Sequence, residues 1–308
     1  MSPRQNRRTF LQSSLAGAAG LALFRAAVAR EKPAALTVTP LADDLVMITG
    51  AGANVVAARG PEGIALVDGG LQERSAELLK LVPKELGGGR VTTLFNTHWH
   101  PEQTGANATL GKAGAKIIAH ENTRLWLGYP NPLPDQPGRT YGPLPEAALP
   151  NATIYDSGHM TLGAEELDYG YLLQAHTDGD LYVFFRNANV LVTGGVVSGE
   201  GWPIIDYKTG GWIGGLVQGL TTLVKVSNPQ TRIVPANGPV LTRADLEAQR
   251  DMYAQIFDRL QRLLRQGMGP DEAVAAAPAK EYEAKWGDAS FFVTQAFRSM
   301  WGHFAPDA

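Results

Sequence analysis

At 308 residues and 44% hydrophobic, the chain holds enough apolar material for a sizeable core, and 19% charged residues argue against global disorder. A formal net charge of −3 argues against the basic face of a nucleic-acid binder. Cysteine is absent, which excludes disulfides, thiolate ligands and a cysteine nucleophile, so any metal must sit on histidine, carboxylate, amide or backbone oxygen.

Residues 1–29 read as an address. Asn6-Arg7-Arg8-Thr9-Phe10-Leu11-Gln12 precedes a small-residue apolar run from Ser14 to Phe24, and Ala27-Val28-Ala29 suits a cleavage site. The paired arginines resemble a twin-arginine export signal, so the mature chain is expected to start near Arg30 and to be periplasmic or otherwise exported. The apolar run is too short and too rich in Ala and Gly for a confident membrane helix, and no later stretch reaches spanning length.

Leu45–Thr49, Asn54–Ala58 and Ile64–Val67 read as successive strands, and Glu73–Leu86 as a helix. Val91–Phe95 is a short strand ending at Asn96-Thr97-His98. Lys116–Ala119 is another, and Glu121–Gly128 starts a helix. Tyr129–Pro150 carries seven prolines, which exclude helix and central strand. That segment is either a stiff surface connection or a lid or wall over a site. Strands return from Ile154 to Val192, most clearly at Leu181–Phe185 and Val190–Val192, with Thr231–Pro235 the last. Arg243–Gln266 has the pattern of a long amphipathic helix, and Ser290–His303 of another. Strands interspersed with helices favour a layered α/β domain.

The chemistry concentrates at His98-Trp99-His100, which holds two of the six histidines and follows a strand directly. Histidines at i and i+2 in extended chain can face one side and share an ion. The surrounding stretch runs Thr97-His98-Trp99-His100-Pro101-Glu102-Gln103-Thr104-Gly105-Ala106-Asn107.

This stretch resembles the HxHxDH motif of the metallo-β-lactamase superfamily. The similarity continues, in the family's order, through Gly114–Glu121, Ala175-His176-Thr177-Asp178-Gly179-Asp180 and Ile233–Val240. Upstream, Gly63–Gly70 resembles the family strand that ends in an aspartate, here Asp68. The resemblance covers residues 40–242. It implies a four-layer αββα sandwich with a metal site at one edge of the two sheets. Residues 30–308 would form one such domain, with a helical extension from about 243.

The family's first ion rests on three histidines, which map onto His98, His100 and His176. The second-ion positions have all changed. Glu102 stands for the aspartate, Gln103 for the histidine, Gly195 (or Gly194) for the bridging aspartate and Asn237 for the last histidine. An amide is a poor zinc ligand and glycine offers none, so the resemblance implies one ion, zinc ahead of iron. Glu102 becomes the candidate general base, a ligand, or a helix-start acid. Gln103, Asn237, Trp99 and Asp68 are candidates for supporting the ligands or lining the pocket. Asp178 and Asp180 are read as serving their turn, Asp206 as a candidate substitute carboxylate without a place, and His120, His159 and His303 as ordinary.

The resulting expectation is an exported, mononuclear metal-dependent hydrolase of a small-molecule substrate. The alternative is a non-catalytic ligand- or partner-binding protein of the same fold, with Trp99, Trp202 and Trp212 about its pocket. A mononuclear iron oxygenase ranks third, because Gly195 removes the carboxylate it needs.

Overall fold

The computed structural model describes residues 35–304. The export signal read in residues 1–29 lies outside the described residues. Residues from Leu36 onward form one compact unit.

The first sheet has seven strands in the order β1 (Thr37–Ala42), β2 (Leu45–Thr49), β3 (Val55–Gly60), β4 (Gly63–Val67), β5 (Val91–Phe95), β6 (Lys116–His120) and β9 (Ala152–Ile154). The first four pair antiparallel and the rest continue in parallel from β4. Helices α1 (Gln72–Glu85), α3 (Asn107–Lys112) and α4 (Glu121–Leu127) fall in the parallel crossovers. Period-two alternation explains why these strands read as near-continuous apolar runs. Met47, Val56, Ala65 and Phe95 point into the space between the sheets, while Ile48, Val55, Leu66 and Leu94 pack with Leu78 and Val82 of α1.

The second sheet contains β10 (Ser157–Leu162), β11 (Glu165–Leu172), β12 (Asp180–Phe185), β13 (Val190–Val192) and β14 (Arg232–Val234). Leu167, Val183, Phe185, Val192 and Val234 meet the first sheet. Leu172, Leu191 and Ile233 face the other way, onto α5 (Ile213–Val226), α6 (Arg243–Arg265) and α7 (Ser290–Phe304). The layers therefore run helix, sheet, sheet, helix, as expected for an αββα sandwich. Among the described residues no helix is long and apolar enough to cross a membrane.

Thr242 and Asp245 form the capping box that starts α6. Helix α5 is missing from the sequence reading, and its glycines are the reason, since they lower helix propensity. Their use is close approach: a Cβ on Gly215 would sit 1.9 Å from the Gln174 carbonyl oxygen. The helix is thereby pressed onto the loop that carries His176.

The proline-rich segment contains a small hairpin, β7 (Asn131–Pro132) with β8 (Thr140–Tyr141). Its base is anchored. Leu133 and Tyr141 pack with Trp99 and Leu127, and the Tyr141 hydroxyl lies 2.8 Å from Thr104 Oγ1. Leu133, Pro134 and Asp135 line the cavity described next, so the hairpin is one of its walls.

Candidate metal centre

The loop after β5 is fixed before it presents any ligand. Asn96 and Asn107 are buried and exchange side-chain hydrogen bonds of 3.0 and 2.8 Å, and Asn96 also donates to the Gln103 carbonyl. This ties the chain on either side of His98 and His100. The third histidine comes from the β11–β12 connection. There Asp180 accepts from the backbone N–H of His176 and of Thr177, at 2.6 and 2.8 Å, and from the Thr177 hydroxyl. Asp180 thus holds the turn, and burial pushes its pKa well up against those bonds.

The three rings form a nearly equilateral group. Centroids are 4.8 Å apart for His98 and His100, 4.6 Å for His98 and His176, and 4.9 Å for His100 and His176. All three are buried, and one nitrogen from each lies within 4.8 Å of the others.

The partners of the remaining nitrogens decide which lone pairs face inward. His176 Nδ1 donates to the Ile204 carbonyl at 2.6 Å, because a carbonyl only accepts. His100 Nε2 donates to Asp206 Oδ2 at 3.1 Å. Burial opposes ionisation of Asp206, but the hydrogen bonds from His100 and then Thr209 hold its pKa below the usual value. Thr97 Oγ1 donates to Asp68 Oδ2 at 2.9 Å and so accepts from His98 Nδ1 at 3.0 Å. The inward set is therefore His98 Nε2, His100 Nδ1 and His176 Nε2.

His100 Nδ1 and His176 Nε2 lie 3.1 Å apart. With both protons committed elsewhere, two lone pairs face each other. A cation between them relieves that contact, and a proton competes for the same place. Burial, then the neighbouring imidazoles, keeps His98 well below the ordinary histidine pKa; burial and His100 bring His176 to about 3. Neutral, oriented imidazoles are what a zinc-type ion requires. The donor set fits one such ion.

The supports extend outward. Asp206 also accepts from Thr209 Oγ1 at 2.7 Å, and that hydroxyl accepts from Trp99 Nε1 at 3.1 Å. Trp99 is fully buried among Leu127 and Leu133, so it steadies Asp206 and does not line the cavity. Asp206, the carboxylate without a place in the sequence, is thus a partner of a ligand. Asp68 takes two hydrogen bonds from Thr97, and burial still pushes its pKa to about 8. A nearby cation favours its ionised form. Replacing Asp206 with asparagine should weaken zinc binding by about 10–100-fold, the usual effect of losing such a partner. Competition with a chelator measures this, and unchanged affinity would show that Asp206 does not orient His100.

The second-ion positions are differently placed. A Cβ on Gly195 would sit 2.3 Å from His176 Cδ2 and 2.6 Å from its Nε2, so the His176 ring fills the space of a bridging side chain. Asn237 is exposed and already used. It accepts from Ser198 Oγ at 2.9 Å and donates to the Glu200 carbonyl at 3.1 Å. Gln103 is buried, and its Oε1 has no hydrogen-bond partner. Glu102 lies half-buried in the short helix α2 (Pro101–Thr104). A cavity of about 200 Å³ is lined by the three histidines together with Glu102, Gln103 and Trp202.

The other named residues lie elsewhere. His120 stacks on Tyr171, His159 bonds Asp168 on the second sheet and His303 stacks on Trp212. Asp178 accepts from Trp126 Nε1 at 2.6 Å, and burial raises its pKa to about 6. Thr97, Thr209 and the Ile204 carbonyl carried no role in the sequence reading. Only the placement of Thr97 directly before His98 could have signalled one of them.

Solved structures agree on the fold. A metallo-beta-lactamase from Pontibacter korlensis superposes with a TM-score of 0.57 at 17% identity, covering 71% of this chain and 99% of its own. The DIM-1 metallo-beta-lactamase gives 0.58 at 14% identity, covering 72% of this chain and 99% of its own. The stereoselective inverting sec-alkylsulfatase Pisa1 from Pseudomonas sp. gives 0.65 at 16% identity. That match covers 89% of this chain and only 51% of the alkylsulfatase, so this chain spans about half its length. No curated protein matches the sequence. The model of the metallo-beta-lactamase superfamily matches residues 48–256, more than half of the chain, which therefore belongs to that superfamily.

Proposed function

We propose that the chain is an exported hydrolase of small molecules that works with a single metal ion, zinc ahead of iron, held by His98, His100 and His176. One observation carries this reading: each imidazole spends its outer nitrogen on a fixed partner and turns the other inward. A bound zinc ion supplies Lewis acidity and brings a coordinated water to a pKa of about 7. The chain itself must orient the attacking water, take its proton and exclude bulk solvent. Glu102 is the carboxylate nearest in sequence to the ligands that lines the cavity, and we assign it the proton. Leu133, Pro134 and Asp135 of the hairpin and Trp202 line the cavity beside the histidines. Lactams and alkyl sulfates are what the neighbours' names point to, and both are hydrolysed substrates. Export rests on Arg7, Arg8 and Ala27-Val28-Ala29, and is checked by where the full-length chain accumulates when both arginines become lysine.

The reading is tested at Glu102. Glu102→Gln keeps size and hydrogen bonding and removes the base. Zinc content should stay the same while the rate of ester hydrolysis falls by about 10²–10⁴. A variant with full zinc and full rate would remove Glu102 from the reaction. The ligand-binding alternative draws on the closed second-ion position, and it gains if a zinc-loaded chain turns over none of a broad panel of esters, lactams and sulfates.

A further inference from the structure

The amide of Gln103, at the position of the missing histidine, presents its two ends differently. Oε1 is sealed and has no donor, so Nε2 is the amide atom that meets the cavity. The residue as a whole is 3% exposed, and among the described residues nothing offers Nε2 an acceptor. An N–H held in that state is satisfied only by an oxygen that enters the cavity.

The other side-chain donors on the lining are engaged. Trp202 Nε1 donates to the Gly287 carbonyl at 2.9 Å. Ser198 Oγ has the Glu200 carbonyl at 2.8 Å and Asn237 Oδ1 at 2.9 Å as acceptors. Asn237 Nδ2 donates to the Glu200 carbonyl at 3.1 Å from an exposed side chain. Among the described residues no lysine or arginine lines the cavity. Glu102 and Asp135 do line it, and two carboxylates disfavour any negative charge that develops beside them. A reaction that builds an oxyanion here therefore needs a donor fixed in advance, and the Gln103 N–H is the uncommitted one. It follows Glu102 directly in α2, so the group that takes a proton and the group that gives a hydrogen bond share one short helix.

We infer that Gln103 Nε2 donates to the acyl oxygen of the substrate and to the oxyanion that forms on it. The substrate is then an acyl compound, an ester, thioester or amide, read through its carbonyl oxygen. This rests on the hydrolase reading for turnover. The affinity of Nε2 for an anionic oxygen does not depend on turnover.

The test compares the zinc-loaded protein with Gln103→Met, which keeps the length of the side chain and removes the N–H. p-Nitrophenyl acetate and p-nitrophenyl thionoacetate differ only in whether oxygen or sulfur takes the charge, and sulfur is the weaker acceptor. With each, water adds to the acyl carbon, the C=O or C=S pair moves onto the heteroatom and Glu102 takes the water's proton. The pair then returns as the ester C–O bond breaks and p-nitrophenolate leaves. In the variant, kcat for the oxygen ester should fall by about 10²–10³ and kcat for the thionoester by less, so that their ratio shrinks. An unchanged kcat, or equal losses on both, would overturn the inference and leave the hydrolase reading standing. Hydrolysis of neither ester by the parent would count against the hydrolase reading, and calorimetry then decides the inference alone. Benzylphosphonate, a tetrahedral anion, should bind the parent about tenfold more tightly than the variant at equal zinc content. Equal binding, binding to neither, or loss of zinc from the variant would overturn the inference. Gln103→Glu, of the same shape without the N–H, serves for the same comparisons if Gln103→Met does not fold.

Discussion

Replacing His176 with alanine should strip the metal and abolish hydrolysis together. Two histidines remain, and three neighbouring positions cannot replace the third. Asp206 is committed to His100, Asn237 to Ser198, and no side chain stands at 195. The loss of zinc affinity should exceed the 10–100-fold typical of losing a supporting partner, because a direct ligand goes. The substitution also leaves the Ile204 carbonyl without its donor, a cost of about 1–3 kcal/mol. The turn itself should hold, since Asp180 still binds the backbone N–H groups at 176 and 177. Circular dichroism alongside elemental analysis separates the two effects: a folded, metal-free, inactive chain is expected. Activity that survives in this variant would end the metalloenzyme account.

The second large effect is expected at Gly195→Asp, which restores the residue type the family uses to bridge two ions. Sequence comparison alone would suggest that the change rebuilds a second site. The structure predicts the opposite. The new Cβ would lie within 2.8 Å of three atoms of the His176 ring, well inside contact distance. Either the ring leaves the trio or the backbone after β13 moves, and overpacking of this kind costs about 1–3 kcal/mol. The variant should melt earlier and bind less zinc than the parent. A thermally sound variant that binds two ions would show that the Gly195 backbone and the His176 ring move apart readily.

How much of this was legible in the sequence differs from one residue to the next. The strand at Ile64–Val67 announced itself because burial on both faces makes its apolar run continuous. The candidate trio was readable because His98 and His100 adjoin a strand end and His176 opens a turn in the family's order. Helix α5 was hidden, since Gly214, Gly215 and Gly219 look like breakers until the close packing on the His176 loop explains them. The prolines correctly excluded a central strand in Tyr129–Pro150. They left room for a two-residue hairpin, where few ladder bonds are needed. Asp206 could be named but not placed, because its contact with His100 joins residues 106 apart and depends on the course of the chain from Ile204 to Thr209. Sequence likewise could not show that Gly195 is closed, as opposed to merely empty: that fact belongs to the His176 ring.

The central claim is that three oriented imidazoles hold one ion while the second position is shut. Elemental analysis of the purified protein, after growth in metal-replete medium and exhaustive dialysis, tests it most directly. The account predicts close to one metal per chain, mainly zinc. Two tightly held ions per chain, or none at all, would contradict it.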